Sequence, residues 1–261
     1  MKQLLLSILV IFFLGGYSFA QDASEYEPLV YHSSKGDSLL YRFHIPDGAQ
    51  NASKRYPLVI FLHGSGERGN DNSTQLVHVA KRFVTDEFMA RYPAFVIVPQ
   101  CPADQQWANY SRESEAKHAD KEPTRQLELV MELMDEVLKK YPVERRRVYI
   151  GGLSMGGYGV WSALANYPEK FAAAFPICGG GYPSFAPRMA QVPTWVFHGG
   201  ADTVVPPDRS REMVESIRRA GGQVIYTEFP GVGHNSWDPA FPAFEEYPFI
   251  YDWIFTQRKW K

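Results

Sequence analysis

Short apolar runs recur along the chain and alternate with stretches that have an apolar helical face. Each run is rich in β-branched or aromatic residues and is bounded by Gly or Pro. This alternation predicts a mostly parallel sheet with helices on both faces, because parallel strands need crossover connections and are buried on both sides. The predicted strands are residues 29–33, 39–45, 58–63, 95–99, 148–152, 173–177, 194–198 and 224–229.

Several stretches between these runs have apolar residues spaced three and four apart, the pattern of a helix that packs on the sheet. The apolar positions of the longest stretch are Leu127, Val130, Met131, Met134, Val137, Leu138 and Tyr141; those of the others are Leu76, Val79, Ala80 and Phe83, then Val160, Trp161 and Leu164, then Met213, Val214 and Ile217, then Phe249, Ile250, Trp253 and Ile254. The first two strands should form a hairpin, with Gly36 at the positive φ of a tight turn. Residues 101–122 show no clear period, and a loop of that length is commonly functional or mobile.

The first residues of the chain have the layout of a secretory signal peptide. Lys2 precedes an apolar run, and small residues follow it up to Ala20. The run is shorter than the roughly 20 residues of a bilayer span. We therefore predict cleavage of residues 1–20 and a secreted or periplasmic protein with no stable membrane anchor, an uncleaved anchor being the alternative. Residues 21–261 are expected to form a single catalytic domain.

Charge and composition narrow the classes of partner. The formal net charge is -2 and 45% of the residues are hydrophobic. A nucleic-acid binder would show a basic patch or stripe, so nucleic acid is not predicted as a partner. No cofactor or metal is predicted, because His32, His44, His78 and His118 show no ligand-type spacing with acids or cysteines. The oligomeric state is not indicated.

The strongest chemical signal is the segment 152–157 (GLSMGG), which follows a predicted strand and precedes a helical stretch. In that setting Ser154 lies at the apex of a sharp strand-to-helix turn, the nucleophile elbow, and the strand that leads into it is the elbow strand. Glycines two residues to either side of Ser154 remove Cβ atoms that would collide across the turn. The helix that begins at Met155 presents unpaired backbone N–H groups beside the serine oxygen. We predict Ser154 as a nucleophile, an ordinary glycine-rich turn being the alternative.

A second glycine-rich segment, residues 62–69 (LHGSGERG), leaves the strand at 58–63. Such a loop can direct a backbone N–H at the negative oxygen that develops during acyl transfer. We predict an oxyanion hole formed by the N–H groups of Ser65 and Met155, with Gly66 as the next choice after Ser65.

The same segment carries three ionisable side chains. His63 follows the strand directly, which favours a structural role, holding the loop by hydrogen bonds, over a role as base. Glu67 and Arg68 are candidates for substrate binding because they are charged residues beside the proposed oxyanion loop. Pairing with each other or with solvent is the alternative.

Two further strands lead into the groups that complete a serine-hydrolase site. The strand at 194–198 runs into a glycine turn that ends at Asp202, and His234 lies on a loop after the last strand. The chain order Ser154, Asp202, His234 is that of an α/β-hydrolase triad. His234 would take the proton of Ser154, Asp202 would fix the histidine tautomer, and water would resolve the acyl-enzyme.

Other residues compete for these roles. His198 lies at the strand end and precedes Asp202, so we interpret it as structural. Asp208 and Asp238 compete with Asp202, but Asp208 follows two prolines, where an acidic residue suits the first turn of a helix.

These motifs resemble those of α/β-hydrolases, specifically exported bacterial esterases related to feruloyl and acetyl-xylan esterases and to dienelactone-hydrolase-like proteins. The matching segments are 63–69 (HGSGERG), 99–102 (PQCP) with Trp107 after it, 152–157 (GLSMGG), 200–202 (GAD) and 233–234 (GH). The resemblance implies an eight-stranded, mostly parallel sheet with the elbow strand near its centre. It also implies a small-molecule or carbohydrate-linked ester as substrate. Dienelactone hydrolases proper use a cysteine at the position of Ser154, which argues against that activity.

This strand order places two other strands between Cys101 and Cys178. At roughly 4.8 Å per strand the two residues would start about 14 Å apart, too far for a disulfide. Export would permit a bridge, but we predict two free thiols.

The walls of the site are predicted from aromatic residues near the motifs. Trp107 and Tyr110 lie in the loop after the fourth strand, and Trp237 follows His234. Flat aromatic rings suit sugars or cinnamoyl groups, and loop packing is the alternative. For the function, a serine peptidase acting on short peptides and a catalytically silent binding protein are the alternatives to an esterase.

Overall fold

The computed structural model describes residues 24–51, 53–109, 122–242 and 249–259. The predicted signal peptide and Tyr110 lie outside these residues. All eight predicted strands are present: β1 (Glu27–His32), β2 (Ser38–His44), β3 (Tyr56–Leu62), β4 (Phe95–Gln100), β5 (Val143–Leu153), β6 (Ala173–Ile177), β7 (Thr194–Gly199) and β8 (Val224–Phe229).

The strands form one sheet in the order β1-β2-β4-β3-β5-β6-β7-β8. The hairpin of β1 and β2 is antiparallel, β2 is antiparallel to β4, and the remaining pairs are parallel. Gly36 has a φ of +89° in the hairpin turn, as predicted. The sheet therefore confirms the predicted fold, with the elbow strand β5 in its interior.

Strand β5 begins five residues earlier than predicted. Val143 pairs with Tyr56, and the register shifts before Leu58 pairs with Val148. The charged residues between Val143 and Val148 hide this part of the strand from a search for apolar runs.

Helices cover both faces of the sheet, as predicted. They are α1 (Asp86–Arg91), α2 (Arg125–Lys140), α3 (Met155–Asn166), α4 (Ala186–Met189), α5 (Asp208–Arg219), α6 (Trp237–Ala240) and α7 (Phe249–Thr256). Residues of α2, α3 and α5 pack in one apolar core, and residues of α7 pack in the other. The sheet is buried between these two cores.

The stretch around Leu76 to Phe83 is not an α-helix as predicted. It folds as two 3₁₀ segments, Thr74–Leu76 and Val79–Val84. A 3₁₀ turn brings residues three apart onto one side, so Ala80 and Phe83 of the second segment share a side without an α-helix.

Cys101 and Cys178 are free and buried, which confirms the predicted thiols. Cys101 follows β4 and Cys178 follows β6, and β3 and β5 lie between these strands. Over the described ranges, none of the helices has the length and apolarity to cross a bilayer.

Candidate active site

Ser154 lies between the end of β5 and the start of α3 with a φ of +52° and a ψ of -115°. Non-glycine residues rarely adopt a positive φ, so this backbone is strained. Its neighbours explain how the turn closes: a Cβ on Gly156 would lie 2.0 Å from the carbonyl oxygen of Leu62. The elbow that the sequence predicts is therefore built, and only glycine fits at its tightest point.

The three predicted catalytic side chains meet at the carboxyl edge of the sheet. The Oγ of Ser154 lies 3.0 Å from the Nε2 of His234, and the Nδ1 of His234 lies 2.7 Å from the Oδ2 of Asp202. These distances are hydrogen-bond distances for a nucleophile, a base and the acid that orients the base. The side chain of His234 is 21% exposed and that of Asp202 is fully buried.

Asp202 is an ionised carboxylate surrounded by donors. Its Oδ1 accepts the backbone N–H groups of Val204 and Val205 at 2.8 and 2.9 Å. Burial alone would raise the pKa of Asp202, but the hydrogen bonds from His234 and from these two N–H groups outweigh it and hold the pKa below its ordinary value. Asp202 can therefore remain charged beside His234.

The two predicted oxyanion donors both begin helical turns. Ser65 is the first residue of a 3₁₀ segment, Ser65–Glu67, and Met155 is the first residue of α3. The first N–H groups of a helical turn have no acceptor within that turn, so both groups are available to a ligand. Ser65, Met155 and Ser154 line one cleft of about 280 Å³.

His63 holds the base of the oxyanion loop. Its Nδ1–H donates to the carbonyl oxygen of Gly64 at 2.6 Å, and its Nε2 accepts the N–H of Cys101 at 2.9 Å. Burial lowers the pKa of His63, which keeps the ring neutral. With both nitrogens occupied, His63 has the structural arrangement that the sequence favours.

Glu67 is also tied into the loop rather than directed at the cleft. One of its oxygens accepts the N–H of Gly64 at 2.7 Å, and the other lies 3.5 Å from the Nε2 of His78. Burial alone would raise the pKa of Glu67, but the bonds from His78 and Gly64 prevail and lower it. The predicted substrate contact of Glu67 is replaced by an internal one that fixes the loop.

The two tryptophans predicted to form walls of the site, Trp107 and Trp237, differ in exposure. Trp107 is fully buried, and its Nε1–H donates to the carbonyl oxygen of His63 at 3.1 Å. A ring without exposed surface offers no face to a substrate. Trp107 therefore packs inside the protein and does not form a wall of the site. The ring of Trp237 is half-buried, with its centroid 5.6 Å from that of His234 and 5.1 Å from that of His78.

The cleft contains residues that the sequence analysis did not select. They are Gln106, Ala108, Tyr158 and Val205, while Arg68, which the sequence analysis did consider, lies at the exposed rim. Tyr158 could have been found, since it lies one helical turn after Ser154 and residues four apart share a face. Gln106 could not, because it belongs to a segment without periodicity.

Cys178 lies directly under the triad. Its Sγ and the nearest polar atoms of Asp202 and His234 lie within 4.8 Å of one another, the one such group of potential metal ligands in the described part of the chain. Asp202 and His234 are already bonded to each other, and burial raises the pKa of Cys178 to about 12. The thiolate that a metal needs is thus disfavoured, and the site does not fit a metal ion.

Comparisons with known proteins agree with this geometry. A thermostable esterase of known structure aligns with a TM-score of 0.84 at 36% identity, over 92% of this chain and 64% of that one. A ferulic acid esterase aligns with a TM-score of 0.64 at 18% identity, over 88% of this chain and 97% of that one, and at that identity it shows the fold alone.

Among curated proteins, the bifunctional acetylxylan esterase/xylanase of Neocallimastix patriciarum is 27% identical over 99 residues, which are 38% of this chain and 15% of that protein. The chain thus spans a small part of this relative and less than two thirds of the thermostable esterase. Residues 47–253 match the phospholipase/carboxylesterase family. The chain therefore belongs to that family and has the α/β-hydrolase fold.

Proposed function

We propose that this protein is an exported carboxylic-ester hydrolase that works through an acyl-enzyme on Ser154. The observation that carries the proposal is the continuous hydrogen-bonded series from Ser154 to His234 to Asp202, at 3.0 and 2.7 Å. Two features support export: the sequence of residues 1–20, which has the layout of a signal peptide, and the chemistry of the proposed substrates.

In this proposal each residue of the site has a step. His234 takes the proton of Ser154 as the Oγ attacks the ester carbonyl, and the Asp202 carboxylate stabilises the resulting imidazolium. The N–H groups of Ser65 and Met155 stabilise the tetrahedral oxyanion. His234 then returns the proton to the leaving alcohol, and a water molecule repeats the sequence to release the acid.

For the substrate, we infer a small acyl or aryl ester such as a feruloyl or acetyl group on plant polysaccharide. The cleft of about 280 Å³ is at the lower end of the size range of small-molecule pockets, which suits a compact acyl group. The names of two similar proteins, an acetylxylan esterase/xylanase and a ferulic acid esterase, support the same class. Trp237 beside His234 supplies an aromatic surface near the reacting group.

The lining of the cleft favours an ester over a peptide. A peptidase that binds a free amino terminus needs an acidic group near the nucleophile. Within the described ranges, the cleft residues include the cation Arg68 and no carboxylate.

The test is a hydrolysis panel on the purified protein. It compares short and long p-nitrophenyl acyl esters, methyl ferulate, acetylated xylan and a proline-containing peptide anilide, each with wild type and Ser154→Ala. We expect turnover of the short acyl ester and of methyl ferulate or acetylated xylan, a loss in Ser154→Ala of about 10⁴-fold or more, and a melting temperature within a few degrees of wild type. Activity on the peptide alone would reject the ester, and activity retained in Ser154→Ala would reject the triad.

A further inference from the structure

His198 is a buried histidine beside the triad that the mechanism above does not use. Its side chain is fully buried, and its Nε2 lies 2.9 Å from the carbonyl oxygen of Val205 and 3.3 Å from Oδ2 of Asp202. Its Nδ1 lies 2.7 Å from the Oγ of Ser210, which is also fully buried. Both ring nitrogens therefore have polar partners inside the protein.

The partners of Nε2 decide where the ring proton lies. A carbonyl oxygen and a carboxylate oxygen only accept hydrogen bonds, so Nε2 carries a proton and donates it. The Ser210 hydroxyl has one proton and two acceptors, Nδ1 of His198 and the carbonyl oxygen of Gly179 at 3.0 Å. When His198 is neutral the hydroxyl donates to Nδ1, which fixes the Nε2–H tautomer.

Burial keeps His198 neutral. It lowers the pKa of His198, against the opposing effects of the Val205 carbonyl and the Asp202 carboxylate. The other ionisable groups that act on the ring are His234 and Glu228 with its partner Arg211. Near neutral pH the ring therefore acts on Asp202 as a neutral donor.

This donor matters because of how Asp202 is held. Oδ1 is fixed by the N–H groups of Val204 and Val205, whereas Oδ2 contacts two imidazoles, His234 and His198. Without His198, the only donor among these contacts on Oδ2 would be the residue that Asp202 must orient. His198 gives Oδ2 a second polar contact, at 3.3 Å, that is independent of the catalytic base. Its hydrogen bond at 2.9 Å goes to the carbonyl oxygen of Val205, the residue whose N–H holds Oδ1.

We propose that His198 is a positioning residue for ester hydrolysis. Its Nε2–H donates to the carbonyl oxygen of Val205, whose own N–H holds Oδ1 of Asp202, and it faces Oδ2 of Asp202 at 3.3 Å, while the hydroxyl of Ser210 holds the ring. The proposal rests on the proposed function of the Ser154 site. It assigns a role to a histidine that sequence reasoning treats as structural, and it makes Ser210, one buried residue of α5, part of the same arrangement.

The test compares His198→Asn with His198→Gln. The Gln amide reaches the position of Nε2 and can donate to the Val205 carbonyl while facing Asp202, whereas the shorter Asn amide cannot. We expect His198→Asn to lower kcat on the best ester of the panel by on the order of tenfold with KM changed by less than about twofold, and His198→Gln to recover most of the loss. All values are normalised to the fraction of protein that reacts with a fluorophosphonate.

The pH profile separates positioning from packing. An Oδ2 that has lost a donor accepts more strongly from the protonated base, so the acid limb of kcat/KM should move to higher pH by several tenths of a unit in His198→Asn and return in His198→Gln. A variant that only packs poorly loses reactive protein without moving this limb. An unchanged acid limb and unchanged kcat in His198→Asn overturn the proposal.

A second measurement does not depend on the folding of that variant. In wild-type protein labelled with ¹⁵N-histidine, we expect the His198 resonances to show a protonated Nε2 and an unprotonated Nδ1 at neutral pH, with the Nδ1 resonance shifted in Ser210→Ala. A protonated Nδ1 with a bare Nε2 contradicts the proposal. If wild type hydrolyses no ester of the panel, the proposed function fails; if it does and His198→Asn matches it, only the present inference fails.

Discussion

The two edges of the sheet differ in how they hold polar groups. At the carboxyl ends of the parallel strands, polar side chains are buried and bonded to each other or to the backbone. They are His63, Glu67, Gln100, His198, Asp202 and Ser210. At the amino ends, cations line two open grooves, and most of them are exposed. They are Arg55, Lys139, Lys140, Arg145, Arg146, Arg258 and Lys259.

The difference shows at which edge of the sheet the positions of polar side chains are fixed. A buried polar group is costly unless it is bonded, so every such group at the carboxyl edge constrains its neighbours. Exposed cations are screened and contribute little to stability. Substitutions at the carboxyl edge should therefore change catalysis, and equivalent changes at the amino edge should not.

The largest effect is expected at Asp202. Asp202→Asn keeps an acceptor for Val204 and Val205, but its amide can donate to His234 and so favour the wrong tautomer. We expect kcat to fall by about 10⁴-fold, with a melting temperature close to that of wild type. The matched control is Asp208→Asn, an exposed carboxyl in the first turn of α5, for which kcat should stay within about twofold. Equal activities of Asp202→Asn and wild type would remove Asp202 from the mechanism.

The second-largest effect is expected at Ser65, where a substitution tests whether the backbone N–H is a donor of the oxyanion hole. Ser65→Pro removes the N–H of residue 65, while proline suits the first position of a helical turn and the preceding Gly64 is extended. We expect kcat to fall by about 10²- to 10³-fold. Ser65→Ala keeps the N–H and should retain activity within about threefold. If the two variants behave alike, the donor is not the N–H of Ser65.

A smaller effect is expected at Glu67, which fixes the oxyanion loop without touching the cleft. Glu67→Gln keeps an acceptor for Gly64 but weakens the contact with His78, so we expect a loss of kcat of about tenfold with KM nearly unchanged. At the amino edge, Arg145→Ser is the control, and it should alter neither kcat nor KM by more than about twofold.

The contribution of Glu67 to the stability of the fold should depend on pH. Because the pKa of Glu67 is lower in the folded protein than its ordinary value, its ionised form stabilises the fold at pH values above that ordinary value. This contribution is lost as the pH falls through the folded-state pKa. The difference in melting temperature between wild type and Glu67→Gln should therefore be largest at neutral pH and shrink below about pH 4. A difference that grows with acidity would contradict the bonding described for Glu67.

The sequence predicted the eight strands, the elbow and the triad because these features are local. Alternation of apolar runs, a glycine-flanked serine and residues placed directly after strands need no knowledge of distant contacts. The features that could not be predicted depend on the tertiary fold. The burial of Trp107 follows from its bond to His63, and the internal role of Glu67 follows from His78, a residue eleven positions further along the chain.

The central claim is that Ser154 is the nucleophile of a His234-activated site, and covalent labelling tests it most directly. The protein is treated with a fluorophosphonate and the adduct is located by peptide mass spectrometry in wild type, Ser154→Ala and His234→Ala. The account predicts one adduct on Ser154, no adduct in Ser154→Ala and much slower labelling in His234→Ala. Labelling of another residue, or labelling of His234→Ala at the wild-type rate, would contradict it.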